Sequence, residues 1–379
     1  MTVDSERYLY IINTSDELNN VILGHAEFAK EAGFIPIFVF PWRGDDGRFN
    51  DYGNYETLRL NFVFKNTNPL SYLVSILKFI FFTTKMLIFK TNVKYILAVD
   101  LTGVLASTFL KIRGCKIYTL VNDNFAARYK LPDFFSWILR KFETGVYKLL
   151  SSHCIFPDAS RHRLLGSPNL GPVSYLPNVL KTLKSPRYKG SQSEKLVVLF
   201  CGWLVESRGV ELIPRLLEIT PPNIEFVLLG SGSDDLLQTL RDSSRVKVMN
   251  AVAREESLKM MSNIDINFAF YNPSIPINRV ALPQKVYDSV LVGCPIFINS
   301  EVEMSDSLAM TGGCLRAPYF DTKNIADQLT SLAENKDILR TMAISLWMSD
   351  WREKNVNYKA VRRQGVKMYS DFLNASIDY

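Results

Sequence analysis

The chain has 379 residues, 47% of them hydrophobic and 22% charged, with a net charge of +6. Those values exclude a disordered polypeptide and exceed what one typical core holds, so two domains are expected. The positive charge is too mild and diffuse for a nucleic-acid binder; it suits an anionic small ligand or an anionic membrane surface.

Strands alternate with helices along the whole chain, which predicts an α/β protein with parallel sheets covered by helices. A strand over 8–12 leads into a helix over 16–32 that ends at Gly33, and a strand over 35–40 precedes a polar loop over 41–54. A strand over 57–64, a helix over 69–89, a strand over 95–99, a helix over 101–112 and a strand over 116–121 follow. A long helix over 133–150, a strand over 153–156, a short helix after Pro157 and a strand over 173–176 complete the first half. Residues 185–194 are polar and carry Pro186 and Gly190, the composition of a linker. A second βα series then begins with a strand over 195–200, a loop over 202–209 and a helix over 210–218. It continues with a strand over 225–229, a Gly-Ser turn at 230–233, a helix over 234–240, a strand over 246–249, a helix over 254–263 and a strand over 266–270. Pro283 opens a helix that Gly293 and Pro295 close, and a buried strand starts at Ile296. The last third is helical and finishes over 356–373.

The five cysteines (115, 154, 201, 294 and 314) are scattered, which reads as reduced core thiols in a cytoplasmic protein, and none has zinc spacing. The polar opening residues do not resemble a signal peptide. No Asp-x-Asp triplet offers a metal-diphosphate clamp, and neither a Walker loop nor a nucleophile elbow occurs, so no metal and no bound cofactor are expected.

Five features carry chemistry, each beside a plainer reading. Lys285 and Asp288 are three residues apart on the short helix after Pro283, so they share a face and together suit a phosphate and a ribose diol. The plainer reading is a surface ion pair. Gly202 and Gly209 bound a strand-to-helix loop whose backbone can approach a phosphate, with a helix N-terminus behind it and Arg208 adding a charged contact. The plainer reading is an ordinary turn. Gly230, Ser231 and Gly232 are either a nucleotide contact or generic turn chemistry. Asn122-Asp123-Asn124 ends a strand, where a carboxylate can meet an acceptor hydroxyl, or is a capping cluster. His25 lies inside the first helix, facing a ligand or buried structurally. The 69–89 helix carries only Lys78 and Lys85 as charges. Its length makes it a candidate membrane span. It reads either as a sheet-covering helix or, with Lys65, Lys90 and Lys94 nearby, as an amphipathic helix docking on an anionic bilayer.

With these residues in place the chain resembles the GT-B glycosyltransferases, specifically the large retaining family 4, over essentially its full length and most clearly from Lys195 onward. The family's Gly-Arg-x4-Lys-Gly loop is similar to 202–209, with Arg208 on the family's diphosphate-contacting lysine and Trp203 on its arginine. Asp288, Gly293 and Pro295 match the family's Glu-Ala-Met-Ala-x-Gly-x-Pro run, with Asp replacing the ribose-holding Glu. The upstream Glu of the Glu-x7-Glu signature falls on Val280. A subgroup with Pro-x-Lys-x-Tyr-Glu is closer and makes Lys285 a family-type residue. The Leu-Pro-Asn-Val stretch at 176–179 and the 152–164 segment resemble other family stretches, and Asn122-Asp123 stands where a His-Asp pair is often found.

The resemblance implies a GT-B fold, two Rossmann-like domains with parallel sheets facing a central cleft. The expected divisions are an acceptor domain over 1–185, a linker over 186–194, a donor domain over 195–350, and a helix over 351–379 crossing back onto the first domain. It implies sugar transfer from a nucleoside-diphosphate sugar, the UDP form favoured, to a glycan or lipid-linked acceptor. Transfer is expected to retain configuration, need no metal and serve bacterial surface polysaccharide synthesis. The protein is expected in the cytoplasm, with peripheral contact to the inner face of the membrane through the first domain. Arg208, Lys285 and Asp123 are the expected catalytic residues. Donor binding is assigned to Gly202, Trp203, Gly209, Gly230, Ser231, Gly232, Asn278, Arg279, Tyr287 and Asp288. Acceptor binding is assigned to Asn122, His25, Thr14 and Ser15. A GT-B-type sugar-nucleotide epimerase and a non-catalytic binding protein are the alternatives.

Overall fold

The computed structural model describes residues 7–14, 20–42, 55–65, 69–90, 92–178, 185–232 and 234–374. The chain forms two compact units, Met1–Leu180 with Tyr358–Tyr379, and Lys181–Asn357. The first unit runs β1 (Tyr8–Ile12), α1 (Asn20–Glu31), β2 (Ile35–Trp42), β3 (Glu56–Val63), α2 (Pro69–Leu87), β4 (Tyr95–Val99), α3 (Asp100–Ala106), α4 (Thr108–Ile112), β5 (Lys116–Leu120), α5 (Asp133–Leu150), β6 (His153–Phe156), α6 (Ala159–Leu164) and β7 (Val173–Tyr175). The second runs β8 (Leu196–Leu204), α7 (Ile213–Ile219), β9 (Ile224–Gly232), α8 (Asp234–Arg241), β10 (Val246–Met249), α9 (Arg254–Met261), β11 (Ile266–Ala269), α10 (Pro276–Arg279), α11 (Gln284–Val292), β12 (Ile296–Asn299), α12 (Met304–Ala309), β13 (Cys314–Ala317), α13 (Thr322–Glu334), α14 (Asp337–Trp347) and α15 (Asp350–Val356). The last helix, α16 (Tyr358–Asn374), belongs to the first unit.

The two sheets have the orders β3-β2-β1-β4-β5-β6-β7 and β10-β9-β8-β11-β12-β13. All their strand pairs are parallel. The strand order reverses between β1 and β4 and between β8 and β11, and doubly wound sheets take ligands at that reversal, beyond the strand carboxyl ends. Strands β11 and β12 are buried at every residue, which is why they read as apolar runs without alternation. The expected α/β class with two Rossmann-like units is therefore the observed one.

In the first unit, alternate strand residues feed two cores. Tyr10, Ile12 and Ile96 pack with residues of α2, α4 and α5, whereas Leu9, Ile11 and Leu97 pack with residues of α1 and α16. Helix α16 lies close on α1 because Gly365 has no side chain: a Cβ there would sit 2.5 Å from Phe28 Cδ2. His25 is part of this contact. It is buried, with Nδ1 2.9 Å from the Tyr369 hydroxyl, so it is a core histidine and not an acceptor residue.

Several boundaries differ from the sequence reading. The crossing back to the first unit starts at Tyr358, not at 351; α15 stays in the second unit, where Trp351 packs on Tyr287 at 5.9 Å. Residues expected as a linker are a strap fixed to the second unit. Tyr188 donates its N–H to the Val292 carbonyl (3.0 Å) and its hydroxyl to the Asp265 carbonyl (2.9 Å), and Ser191 donates to the buried Asp265 carboxylate. The helix expected over 101–112 breaks at Ser107, whose hydroxyl turns back to the Gly103 carbonyl (2.8 Å). The start of the expected 16–32 helix and the bulk of the 41–54 loop lie outside the described residues.

Burial holds the His25 imidazole down from its usual 6.5 to about 4. Between those values the unfolded chain takes up a proton that the folded chain refuses, so stability is complete above pH 6.5 and falls as pH drops towards 4. The contribution is about 3 kcal/mol, at about 1.36 kcal/mol per unit. In His25→Gln, which can still meet the Tyr369 hydroxyl, urea-unfolding free energies are expected to lose that part of their decline between pH 6.5 and 4. An identical decline in both proteins would refute the assignment.

Candidate functional site

The switch point of the second unit lies beyond the ends of β8 and β11. Strand β8 extends through Gly202 and Trp203, which pair with Gly230 and Ser231 of β9, and Leu204 pairs with Gly232. The two expected glycine loops are thus one paired strand tip. Gly230 and Gly232 are required by backbone approach, since a Cβ at either would lie 1.8 Å from the Gly202 carbonyl oxygen or 1.9 Å from that of Leu204. Gly202 differs. It is exposed at φ +112 with open space where its Cβ would be, so a ligand can approach its backbone. Trp203 and Ser231 are exposed beside it, and Ser233 lies outside the described residues.

After the tip comes a single 3-10 turn, Glu206–Arg208, closed by Gly209 at φ +87, where a Cβ would lie 2.8 Å from Phe270 Cβ. The turn is anchored from three sides. Asn272 donates its N–H to the Ser207 carbonyl (3.0 Å), Asn278 donates its amide to the Ser207 and Asn272 carbonyls (3.3 and 2.9 Å), and the Tyr319 hydroxyl donates to the Glu206 carbonyl (3.4 Å). Asn278 is therefore a brace of the loop that carries Arg208. The helix expected from Val210 begins as a second 3-10 turn, Val210–Leu212, and becomes α-helical only at Ile213. Its N-terminus is not open to a phosphate as expected. Glu211 sits there: its carboxylate accepts from the Tyr319 hydroxyl at 2.5 Å and from the backbone at Gly209. Burial nonetheless pushes the Glu211 carboxyl up.

Two cations converge on one aromatic ring at this end of the sheet. The Arg208 guanidinium lies 5.0 Å from the Tyr271 ring centroid, and Lys285 Nζ lies 5.1 Å from the same centroid and 4.1 Å from that of Phe200. Among the described residues no carboxylate forms an ion pair with either. Burial first, and the Arg208 charge after it, lower Lys285 from its usual 10.5 to about 8.

Asp288, the expected ribose holder, is buried one turn along α11 and bears on the same Cys201 thiol as Lys285. Its Oδ1 is occupied by Arg254, at 2.6 Å from Nη2 and 3.2 Å from Nε, and by the Gln284 amide at 3.0 Å. Arg254 escaped the sequence reading, since its only signal was its place at the start of a helix 34 residues upstream. Tyr287 is turned away into the core with Trp351, and the Arg279 Nε–H is held by the Pro273 carbonyl (2.8 Å).

In the first unit the strand ends of β4, β5 and β6 carry a charged network. Asp100, in the left-handed region at φ +55, accepts the N–H groups of Asn122 (2.9 Å) and Asp123 (3.1 Å) and pairs with Arg128 at 2.7 Å. The fully buried Glu143 accepts those of Phe125 (2.9 Å) and Ala126 (3.1 Å). The loop after β5 is thus strung on two carboxylates, and Asp123 is presented half-exposed with Arg161 at 3.4 Å and Arg128 at 3.6 Å. The Asn122 side-chain oxygen is buried without a hydrogen-bond partner. Asp100, Arg128, Glu143 and Arg161 were not sequence candidates, because only the fold brings them together. Thr14 is half-buried just past β1, and Ser15 lies outside the described residues. Among the described residues no group of three or more His, Cys, Asp or Glu could hold a metal ion. Among the same residues no helix, α2 included, is long and apolar enough to cross a membrane.

Comparison with solved structures places this architecture. The chain superposes on sucrose-phosphate synthase from Thermosynechococcus elongatus with a TM-score of 0.74 at 12% identity, covering 98% of this chain and 100% of that one. It superposes on HepE from Anabaena, solved with UDP-glucose, with a TM-score of 0.68 at 15% identity, covering 96% and 99%. For WaaG, a glycosyltransferase involved in lipopolysaccharide biosynthesis, the TM-score is 0.67 at 10% identity, covering 95% and 99%. No protein-family model and no curated protein matches the chain. The likeness is one of fold, and the fold is GT-B, as expected.

The paired tip makes a specific demand on sequence. Gly230→Ala forces a methyl group into the Gly202 carbonyl and is expected to cost about 3 kcal/mol or more, at the upper end of overpacking penalties. A chemical-denaturation midpoint within error of the parent protein would show that the two tips do not approach this closely.

Proposed function

We propose that the chain is a glycosyltransferase that takes its sugar from a nucleoside-diphosphate sugar bound by the second unit. The observation that carries this reading is the Arg208–Lys285 pair, two cations without a carboxylate partner among the described residues at the β8/β11 switch point. An incoming diphosphate supplies the missing negative charge, and more of it develops there as the glycosidic bond to the leaving phosphate breaks. Fixed cations in a water-poor site favour that developing charge over the ground state. The exposed Gly202 backbone offers a further approach for phosphate oxygens, and the buried Asp288, braced by Arg254 and Gln284, is the group for the ribose hydroxyls.

The UDP form is favoured by the HepE complex, a protein of the same fold that holds UDP-glucose. The acceptor falls to the first unit. There Asp123, held by Arg161 and Arg128, orients the attacking hydroxyl of a glycan or lipid-linked acceptor, with Asn122 and Thr14 nearby on the same sheet end. The reaction is retaining and needs no metal, with front-face attack and side-chain cations meeting the leaving diphosphate. The cellular role is bacterial surface polysaccharide synthesis on the cytoplasmic side of the membrane, a reading supported by neighbours such as WaaG.

Incubation with a panel of nucleotide sugars tests this. Nucleotide release that depends on acceptor supports transfer. A new sugar nucleotide formed without release would instead mark an epimerase, and failure to bind any of them a non-catalytic protein. Arg208→Ala and Lys285→Met are each expected to lower turnover about 10²–10³-fold; unchanged turnover in Arg208→Ala would remove the basis of the reading. Lys285 adds a pH signature. Its ammonium is charged below about 8 and neutral above, so kcat/KM is expected to fall as pH rises through about 8. Lys285→Arg, which stays charged, is expected to flatten that alkaline limb even where its absolute rate is lower.

A further inference from the structure

Two helices of the first unit carry large apolar side chains on their outward faces as well as on the faces that meet the core. In α2 the buried face includes Ser75 and Thr83 beside Phe79, while Leu73, Leu77 and Phe81 each leave more than half of their surface in solvent. In α5 the buried face holds the Glu143 carboxylate and the Tyr147 hydroxyl, hydrogen-bonded at 2.9 Å, while Phe134, Trp137 and Phe142 face outward, again more than half exposed. A surface helix normally turns its apolar stripe to the core. Next to α2 lies α4, with Ile112 79% exposed. The three helices cover one face of the sheet and share one core beneath, and Tyr72 of α2 stacks on Phe125 of the turn that Glu143 ties to α5 (centroids 6.2 Å, planes 10° apart). An exposed apolar area of this extent marks a contact with something apolar.

The charges on the same helices say what. Lys78, Lys85, Lys111, Arg140, Lys141 and Lys148 lie on α2, α4 and α5, with Asp133 as the one exposed acid among them. Residues 65–150 contain thirteen Lys and Arg against four Asp and Glu, whereas the whole chain has a net charge of +6. The positive charge of the protein is therefore concentrated on this segment. A second copy of the chain docked symmetrically here would set these cations against their own copies. An anionic lipid surface answers both properties at once, taking the aromatic and aliphatic side chains into its interfacial layer and the ammonium groups at its headgroups.

We propose that the outward faces of α2, α4 and α5 form a docking surface for an anionic lipid bilayer, contacted in the plane of the interface. This deepens the lipid-linked acceptor reading, and its test does not depend on sugar transfer. The full chain is sedimented with vesicles of phosphatidylcholine alone and of phosphatidylcholine with phosphatidylglycerol. Binding is expected to the anionic vesicles, with little to the neutral ones, and to weaken as salt rises. The double variant Phe81→Ser/Trp137→Ser removes two exposed side chains and is expected to keep its thermal midpoint while losing at least about tenfold in vesicle partition. Lys141→Glu/Lys148→Glu is expected to act likewise on the anionic vesicles. Arg208→Ala is expected to bind vesicles normally, so failure of the donor reading and failure of this one are separate results. Absence of vesicle binding, or undiminished binding by both double variants, overturns the proposal. So does a concentration-dependent dimer that Phe81→Ser/Trp137→Ser converts to monomer without any vesicle binding in the parent protein.

Discussion

The second unit is organised around a half-buried lysine whose ammonium, among the described residues, has no carboxylate paired with it. Taking a cation out of water costs several kcal/mol. Lys285 recovers part of that from the faces of Phe200 and Tyr271, at about 0.5–2 kcal/mol each. It also reaches the Phe268 carbonyl, 3.5 Å away, at the limit of a hydrogen bond. Burial is what lowers its pKa, and Arg208, near the same Tyr271 ring, lowers it further. Such an arrangement persists only where the surrounding structure is rigid. The anchors on the 206–208 turn and the glycine-dependent pairing of β8 with β9 supply that rigidity. The missing carboxylate is then the basis of a binding site: an anion arriving here removes the deficit instead of having to displace a partner.

The first unit solves a different problem by the same means. Its strand-end loop after β5 has backbone donors with no sheet partner, and buried donors need acceptors. Asp100 and Glu143 provide them, and each carboxylate is itself balanced, Asp100 by Arg128 and Glu143 by the Tyr147 hydroxyl. One consequence is structural: α5 must bring a carboxylate inward, which leaves less of its inner face for apolar side chains. Its aromatic residues lie outside for that reason as well as for any partner. The inward carboxylate of α5 and the tethered Phe125–Ala126 stretch of the loop are two results of one buried glutamate.

The sequence made the large features readable and the small ones not. Buried parallel strands such as Ile296–Asn299 begin with an unbroken apolar run, so strands and their alternation with helices could be read directly. Arg208 and Lys285 were legible because each sits at a strand-to-helix junction that glycine or proline punctuates. What escaped were long-range placements. Gly202 and Gly230 look like two turns until the strands that carry them are seen to pair. Glu211 looks like a surface acid until Tyr319, far along the chain, is brought to it. His25 and Phe81 carry no local sign of which is inside and which outside, since a helix shows its period but not its neighbour. The strap at 185–191 was misread for a related reason: its composition is that of a linker, but its backbone and hydroxyl groups are claimed by Asp265.

The two sheet ends also differ in how their charges are paired, which bears on the proposed placement of the substrates. At the end of β8 and β11, Arg208 and Lys285 have no carboxylate ion-pair partner among the described residues, while Asp288 is already paired to Arg254 and Glu211 is held by the Tyr319 hydroxyl. At the ends of β4, β5 and β6, the carboxylates of Asp100, Asp123 and Asp158 outnumber Arg128 and Arg161, and both guanidiniums already lie beside Asp123. A diphosphate carries concentrated negative charge; at the second of these places it would meet three carboxylates and compete for cations already taken. A hydroxyl has no such conflict, because paired carboxylates and guanidiniums offer it both acceptors and donors. The pairing of charge therefore supports the proposed nucleotide site in the unit built from residues 181–357 and the proposed hydroxyl acceptor in the other.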